Sequence, residues 1–203
     1  MAKEQNEVIT ELHHEIFQQI DSSSDRFVEQ LRALCRQPSV SAQNLGLNET
    51  AELVCVFLRE TGFTVEAFSP SKGPPVVFAE LASKIGRKTL VFYNHYDVQP
   101  VEPLELWKNA PFSATVEDGK VYARGASDNK GNILSRLMAI NAFLKATGTV
   151  PCNLKWAIEG EEEIGSPHFS EFITRYKERL TGDSAIWEFG GLDYEDRPWS
   201  LWA

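Results

Sequence analysis

Cysteine is scarce in this chain: three residues in 203, at positions 35, 55 and 152. The number is odd, no CxxC pair occurs, and a chain of this length does not depend on a disulfide framework. Three reduced thiols in or near the core are expected. Histidine is nearly as rare, and no two of the four have the HExxH spacing of a helix-borne zinc site. Positive charge is also short, with Lys+Arg 20 against Asp+Glu 29 and a net charge of -9. That balance excludes a general nucleic-acid binder, which needs a basic face, but suits a protein that gathers carboxylates around cations. No apolar run approaches the ~20 residues that span a bilayer, and Met1–Glu7 lacks the apolar stretch of a secretory signal. The expectation is a cytoplasmic chain without membrane or nucleic-acid partners. GxGxxG and GxSxG are missing, and the glycine-rich stretch 125–131 lacks the GK[ST] of a phosphate-binding loop.

What is present is enough apolar and aromatic material, 42% and 11%, for a core at this size. Residues 4–20 read as an amphipathic helix. Ser22-Ser23-Ser24-Asp25 then offers N-cap chemistry for a second helix carrying Phe27, Val28, Leu31 and Leu34 inward and ended by Pro38. A third helix, 49–61, turns in Ala51, Val54, Phe57 and Leu58, with Gly62 as its C′ residue. Strand patterns follow at 63–67, 76–81, 89–93, 121–123, 154–158 and 184–187, with helices at 130–145 and 167–180. Alternating strands and helices predict an α/β fold, a mixed, largely parallel sheet flanked by helices. The ending Arg197–Ala203 has no closing helix or polar tail and reads as cut rather than finished.

In open α/β sheets, ligands bind beyond the carboxyl ends of the strands. Four predicted strand ends carry polar chemistry: Asn94-His95-Tyr96-Asp97, then Arg124–Gly131 with Asp128, then Glu159–Ser166 with Glu161-Glu162-Glu163, and lastly Glu188. Each has a plain alternative. His95 suits a satisfied core histidine, Asp128 a helix N-cap, and the acidic run a solvated loop. Together, carboxylates at one end of a sheet repel one another and call for cations. Imidazole plus carboxylate without thiolate suits zinc, or alternatively cobalt or manganese. Two ions about 3.5–4 Å apart that share one carboxylate could clamp a water and a substrate oxygen. Asp97, two residues beyond His95, is spaced to hold the imidazole's second nitrogen. Glu162-Glu163 offers a base beside a ligand.

The stretches His95–Pro100, Arg124–Gly131 and Glu159–Ser166 resemble the metal-binding motifs of the M20 metallopeptidases. Leu106-Trp107 and Pro111-Phe112 bring the chain nearest the cytosolic non-specific and carnosine-type dipeptidases, and the likeness runs from about Asp25 to Trp199. The resemblance implies a zinc-peptidase-like catalytic domain in which His95 binds one of two zinc ions (manganese or cobalt being alternatives) and Asp97 orients its ring. Asp128, with a cis peptide to Asn129, bridges the ions. Glu162 is the general base, Glu163 a ligand of the second zinc, and Glu188 the next acidic ligand beside His95. Zinc-dependent hydrolysis of dipeptides or related amide bonds follows. An N-acyl-amino-acid deacylase, a carboxypeptidase of the same family and a non-catalytic pseudoenzyme are the alternatives. The resemblance also implies that residues 1–203 are the N-terminal portion of the catalytic domain. A lid domain that forms the usual homodimer, and a later half supplying another histidine ligand, lie beyond it, so activity of these residues alone is expected to be impaired.

Overall fold

The computed structural model describes residues 2–187, 191–192 and 198–199, with side chains from residue 10 to 187. It opens with one continuous helix, α1 (Ala2–Arg36), where the sequence predicts two. The serines at 22–24 do not cap a new helix. Ser22 Oγ donates to the Gln19 carbonyl at 3.1 Å and Ser24 Oγ to the Asp21 carbonyl at 2.9 Å. Their hydroxyls are thus satisfied by the preceding turn, a mid-helix option that competes with capping. Phe27 and Leu34 are buried as expected, but Val28 lies on the exposed side of the same helix. Helix α2 (Leu47–Glu60) buries Ala51, Val54, Phe57 and Leu58. It closes as predicted on Gly62 (φ 98°), with Gly62 N–H on the Arg59 carbonyl and Phe63 N–H on that of Leu58. That is the Schellman pattern, and its left-handed residue is the reason for glycine.

Strands β1 (Thr64–Phe68) and β2 (Val76–Leu81) pair antiparallel. They lead to β3 (Thr89–His95) and, past a two-stranded hairpin β4–β5 (Thr115–Glu117, Lys120–Tyr122), to α3 (Lys130–Thr147). Strand β6 (Asn153–Glu159), α4 (Phe169–Tyr176) and β7 (Ser184–Ile186) follow. The main sheet runs β1-β2-β6-β3-β7 and is mixed: β6, β3 and β7 are parallel, while β1 and β2 run antiparallel to their neighbours. Two short strands, β8 (Gly191–Leu192) and β9 (Pro198–Trp199), pair separately.

Both faces of the sheet are covered, which explains its nearly unbroken apolar strands. Val77, Ala79, Phe92, Trp156 and Ile158 face the core built with α1, α2 and α3, whereas Val76, Phe78 and Ala157 face Phe172 and Tyr176 of α4. Cys35 and Cys55 are buried and Cys152 half-buried, all as free thiols.

The predicted strand at 121–123 does not join this sheet. Val121 and Tyr122, with Lys120 before them and without Ala123, pair with Thr115–Glu117 across Asp118-Gly119, both with positive φ. A two-residue loop of that geometry matches strand twist and makes a local hairpin self-sufficient. Asp128 therefore enters the site from the loop before α3, not from a sheet strand. No described helix is long and apolar enough to cross a membrane.

Candidate metal centre

His95 is the last residue of β3, paired in register with Glu159 at the end of β6. Its ring is 1% exposed. Nδ1 lies 3.1 Å from the Asp97 carbonyl oxygen and 3.2 Å from Asp97 Oδ1. Asp97 is fully buried, and its carboxylate accepts the backbone N–H groups of Glu162 (3.2 Å) and Glu163 (3.0 Å). One carboxylate thus fixes both the imidazole and the start of the 162–164 turn.

The opposite ring nitrogen faces the acids. His95 Nε2 is 3.0 Å from Asp128 Oδ1 and 3.7 Å from Glu162 Oε2. His95, Glu162 and Glu163 each offer a ligand atom, all within 4.8 Å of one another. Asp128 is 72% exposed, so the cluster opens to solvent on its side. The Asp128–Asn129 peptide is cis, as the resemblance implies. Gln99 donates to Glu163 Oε2 at 2.7 Å. Burial nevertheless raises the Glu163 pKa, with repulsion from Asp128 adding to it. Among the described residues, none of Asp128, Glu162 and Glu163 is ion-paired to a lysine or arginine. Three such carboxylates around one oriented imidazole are a donor set suited to a divalent cation of borderline hardness.

The structure therefore gathers five of the six residues singled out in the sequence: His95, Asp97, Asp128, Glu162 and Glu163. Glu188 lies outside the described residues. Other polar residues of the same stretches were given no role from the sequence. Glu159 is 2% exposed and accepts Tyr93 Oη (2.7 Å) and Ser166 Oγ (2.8 Å). Burial pushes its pKa up to about 7. Lys130, fully buried, donates to the Leu34 and Gln37 carbonyls (2.9 and 2.8 Å) at the end of α1. Burial pulls its pKa down to about 8. Asn94, also fully buried, sits beside His95. The available signal for each was its place inside a stretch that also holds a proposed ligand.

Backbone packing depends on two glycines. A Cβ on Gly160 would stand 2.4 Å from the Tyr96 ring, and one on Gly131 2.1 Å from the Ala126 carbonyl oxygen.

An α/β sheet with imidazole and carboxylates converging beyond its parallel strands defines a protein with a candidate metal centre at its strand ends. Residues 91–196 match the profile of Peptidase family M20/M25/M40, and the chain belongs to that family. It is 34% identical over 206 residues to the human Beta-Ala-His dipeptidase, covering 94% of this chain and 39% of that protein. It is 31% identical over 177 residues to a Cys-Gly metallodipeptidase of Schizosaccharomyces pombe, covering 81% and 37%. The crystal structure of an M20 family metallo-carboxypeptidase from Sulfolobus solfataricus superposes with a TM-score of 0.80 at 43% identity, over 84% of this chain and 39% of that one. The chain thus spans about two fifths of the length of these relatives.

Proposed function

We propose that residues 1–203 form the N-terminal portion of the catalytic domain of a zinc-dependent peptidase that hydrolyses dipeptides or closely related amide bonds. The observation that carries this reading is the imidazole of His95, held by Asp97 through Nδ1, with Nε2 turned toward Asp128 and Glu162. A histidine oriented by a carboxylate through its second nitrogen is the usual arrangement of a zinc ligand. His95, Asp128, Glu163 and Glu188 would hold two zinc ions. When bound, zinc supplies Lewis acidity and makes a water easier to deprotonate near neutral pH. Glu162, half-exposed at the mouth of the cluster, takes a proton from water and returns it to the leaving amine. Asp97 keeps the imidazole turned and the Glu162-Glu163 backbone fixed. The dipeptidase names of two relatives support small peptides as the substrate class.

The base and ligand roles of two adjacent glutamates are separable by metal content. After dialysis against zinc and then metal-free buffer, the unsubstituted chain is expected to retain zinc. Glu162→Gln should retain it equally, and Glu163→Gln should retain less of it, through loss at the second ion. Zinc loss in Glu162→Gln would make that residue a ligand and remove the assigned base. In the presence of zinc, the low turnover expected of residues 1–203 alone should favour Ala-Gly over N-acetyl-methionine; the reverse preference would replace the dipeptidase reading with a deacylase.

A further inference from the structure

We propose that Asn94 and Arg136 are positioning residues that set the spacing of the metal ligands, an inference that rests on the metal-centre reading above. Asn94 Oδ1 accepts Trp156 Nε1 at 2.9 Å and also accepts Arg136 Nη1. Its Nδ2 donates to Asn129 Oδ1. Arg136, on α3, further donates from Nη1 to the Tyr93 carbonyl (2.7 Å) and from Nη2 to the Trp187 carbonyl (2.6 Å). Its guanidinium also lies 5.4 Å over the Phe92 ring.

Donor chemistry fixes how the amides face. Indole and guanidinium N–H groups only donate, so the Asn94 oxygen must be turned toward them. Its amide nitrogen is then left for Asn129, whose oxygen must accept. Asn94 and Trp156 are fully buried and Asn129 is 2% exposed. Losing any one partner strands a polar group in the interior, a penalty that the native arrangement avoids.

The placement gives this network its consequence. Asn94 precedes His95, Asn129 follows Asp128, and Trp187 precedes Glu188. One side-chain amide and one guanidinium thus tie three backbone stretches distant in sequence, each a single residue from a proposed ligand. Ligand spacing tolerates only a few tenths of an ångström. Partners bonded directly to ligands typically change metal affinity by 10–100-fold when removed, and Asn94 and Arg136 act one residue further out, which puts them at the lower end.

The test is an equilibrium zinc titration of the chain against a chromophoric chelator, alongside the melting temperature of each zinc-free variant. Asn94→Ala and Arg136→Lys are expected to weaken zinc binding by roughly tenfold. Asn94→Asp should restore most of it. Its carboxylate accepts Trp156 and Arg136, and the Asn129 amide can turn to donate. Leu137→Ala, a buried residue of the same helix outside the network, should lower the melting temperature while leaving zinc affinity in place. Unchanged zinc affinity in Asn94→Ala, or an equal loss in Leu137→Ala, overturns the proposal. Failure of the unsubstituted chain to bind zinc overturns the metal-centre reading beneath it.

Discussion

At the scale of single residues, the site is governed by close approach. Tyr96 follows the metal-facing histidine, is fully buried and donates its hydroxyl to the Pro75 carbonyl at 2.7 Å. It can do so only because residue 160, on the adjoining strand end, has no side chain. Gly160→Ala is expected to destabilise the fold by about 1–3 kcal/mol or more, since neither a buried ring nor a strand end yields easily. A urea midpoint equal to that of the unsubstituted chain would show that Tyr96 has room to move. The same scale marks where sequence reasoning stopped. His95, Asp97, Asp128, Glu162 and Glu163 were legible because each sits in a short motif of chemically distinctive residues at a strand end or loop. Asn94, Lys130 and Glu159 lie inside the same stretches, but their roles were not legible, because a polar residue does not announce which donor or carbonyl it meets. Asn129 and the end of α1, the partners of Asn94 and Lys130, are supplied by the tertiary fold.

At the scale of elements, local signals succeeded where the chain had one stable option. Val76–Leu81 was bounded as a strand, and Gly62 ended its helix, because apolar patterning and a left-handed turn each leave little alternative. They failed where two options compete. Ser22–Asp25 could cap a helix or continue one, and packing of Phe27 and Leu34 into the core favours continuation. Between elements, Arg179 joins Glu66 of β1 (2.9 Å) to Glu80 of β2 and lies 4.8 Å over Phe78 and 5.3 Å over Tyr176. The hydrogen bond from Arg179, with a second from Tyr176, lowers the Glu66 pKa below the usual 4.5. A depressed carboxylate contributes stability above its unfolded pKa and loses it as pH falls through the folded value. Arg179→Leu should therefore flatten the acid limb of stability below about pH 4.5, by only ~0.2–1 kcal/mol for an exposed pair. Thermal melts at pH 3 and pH 6 read this directly; an unchanged difference between them would deny the pair any role.

At the scale of the whole molecule, the α/β class and its helix-covered sheet were visible in the alternation of strands and helices. The reversed direction of β2, antiparallel to both β1 and β6, was not, since pairing direction is set by connections and core closure. Among the described residues β7 forms one edge of the sheet, with Ile186 44% and Trp187 54% exposed. An apolar groove of about 300 Å³ beside it is lined by Leu90, Phe143, Leu154 and Ile186. Such an edge invites association between copies, and Ile186→Lys is expected to lower concentration-dependent light scattering; scattering that stays the same would place the sticky surface elsewhere. The buried ammonium of Lys130 has a wider reach than its two hydrogen bonds suggest. It moors the tail of the longest helix to the head of the central one, two positions from Asp128. The opening fifth of the chain and its middle are consequently fastened there, as they are again where Lys145 meets Ser23. Loosening the end of the first helix would therefore leave a buried ammonium without its two carbonyls, beside the lip of the site.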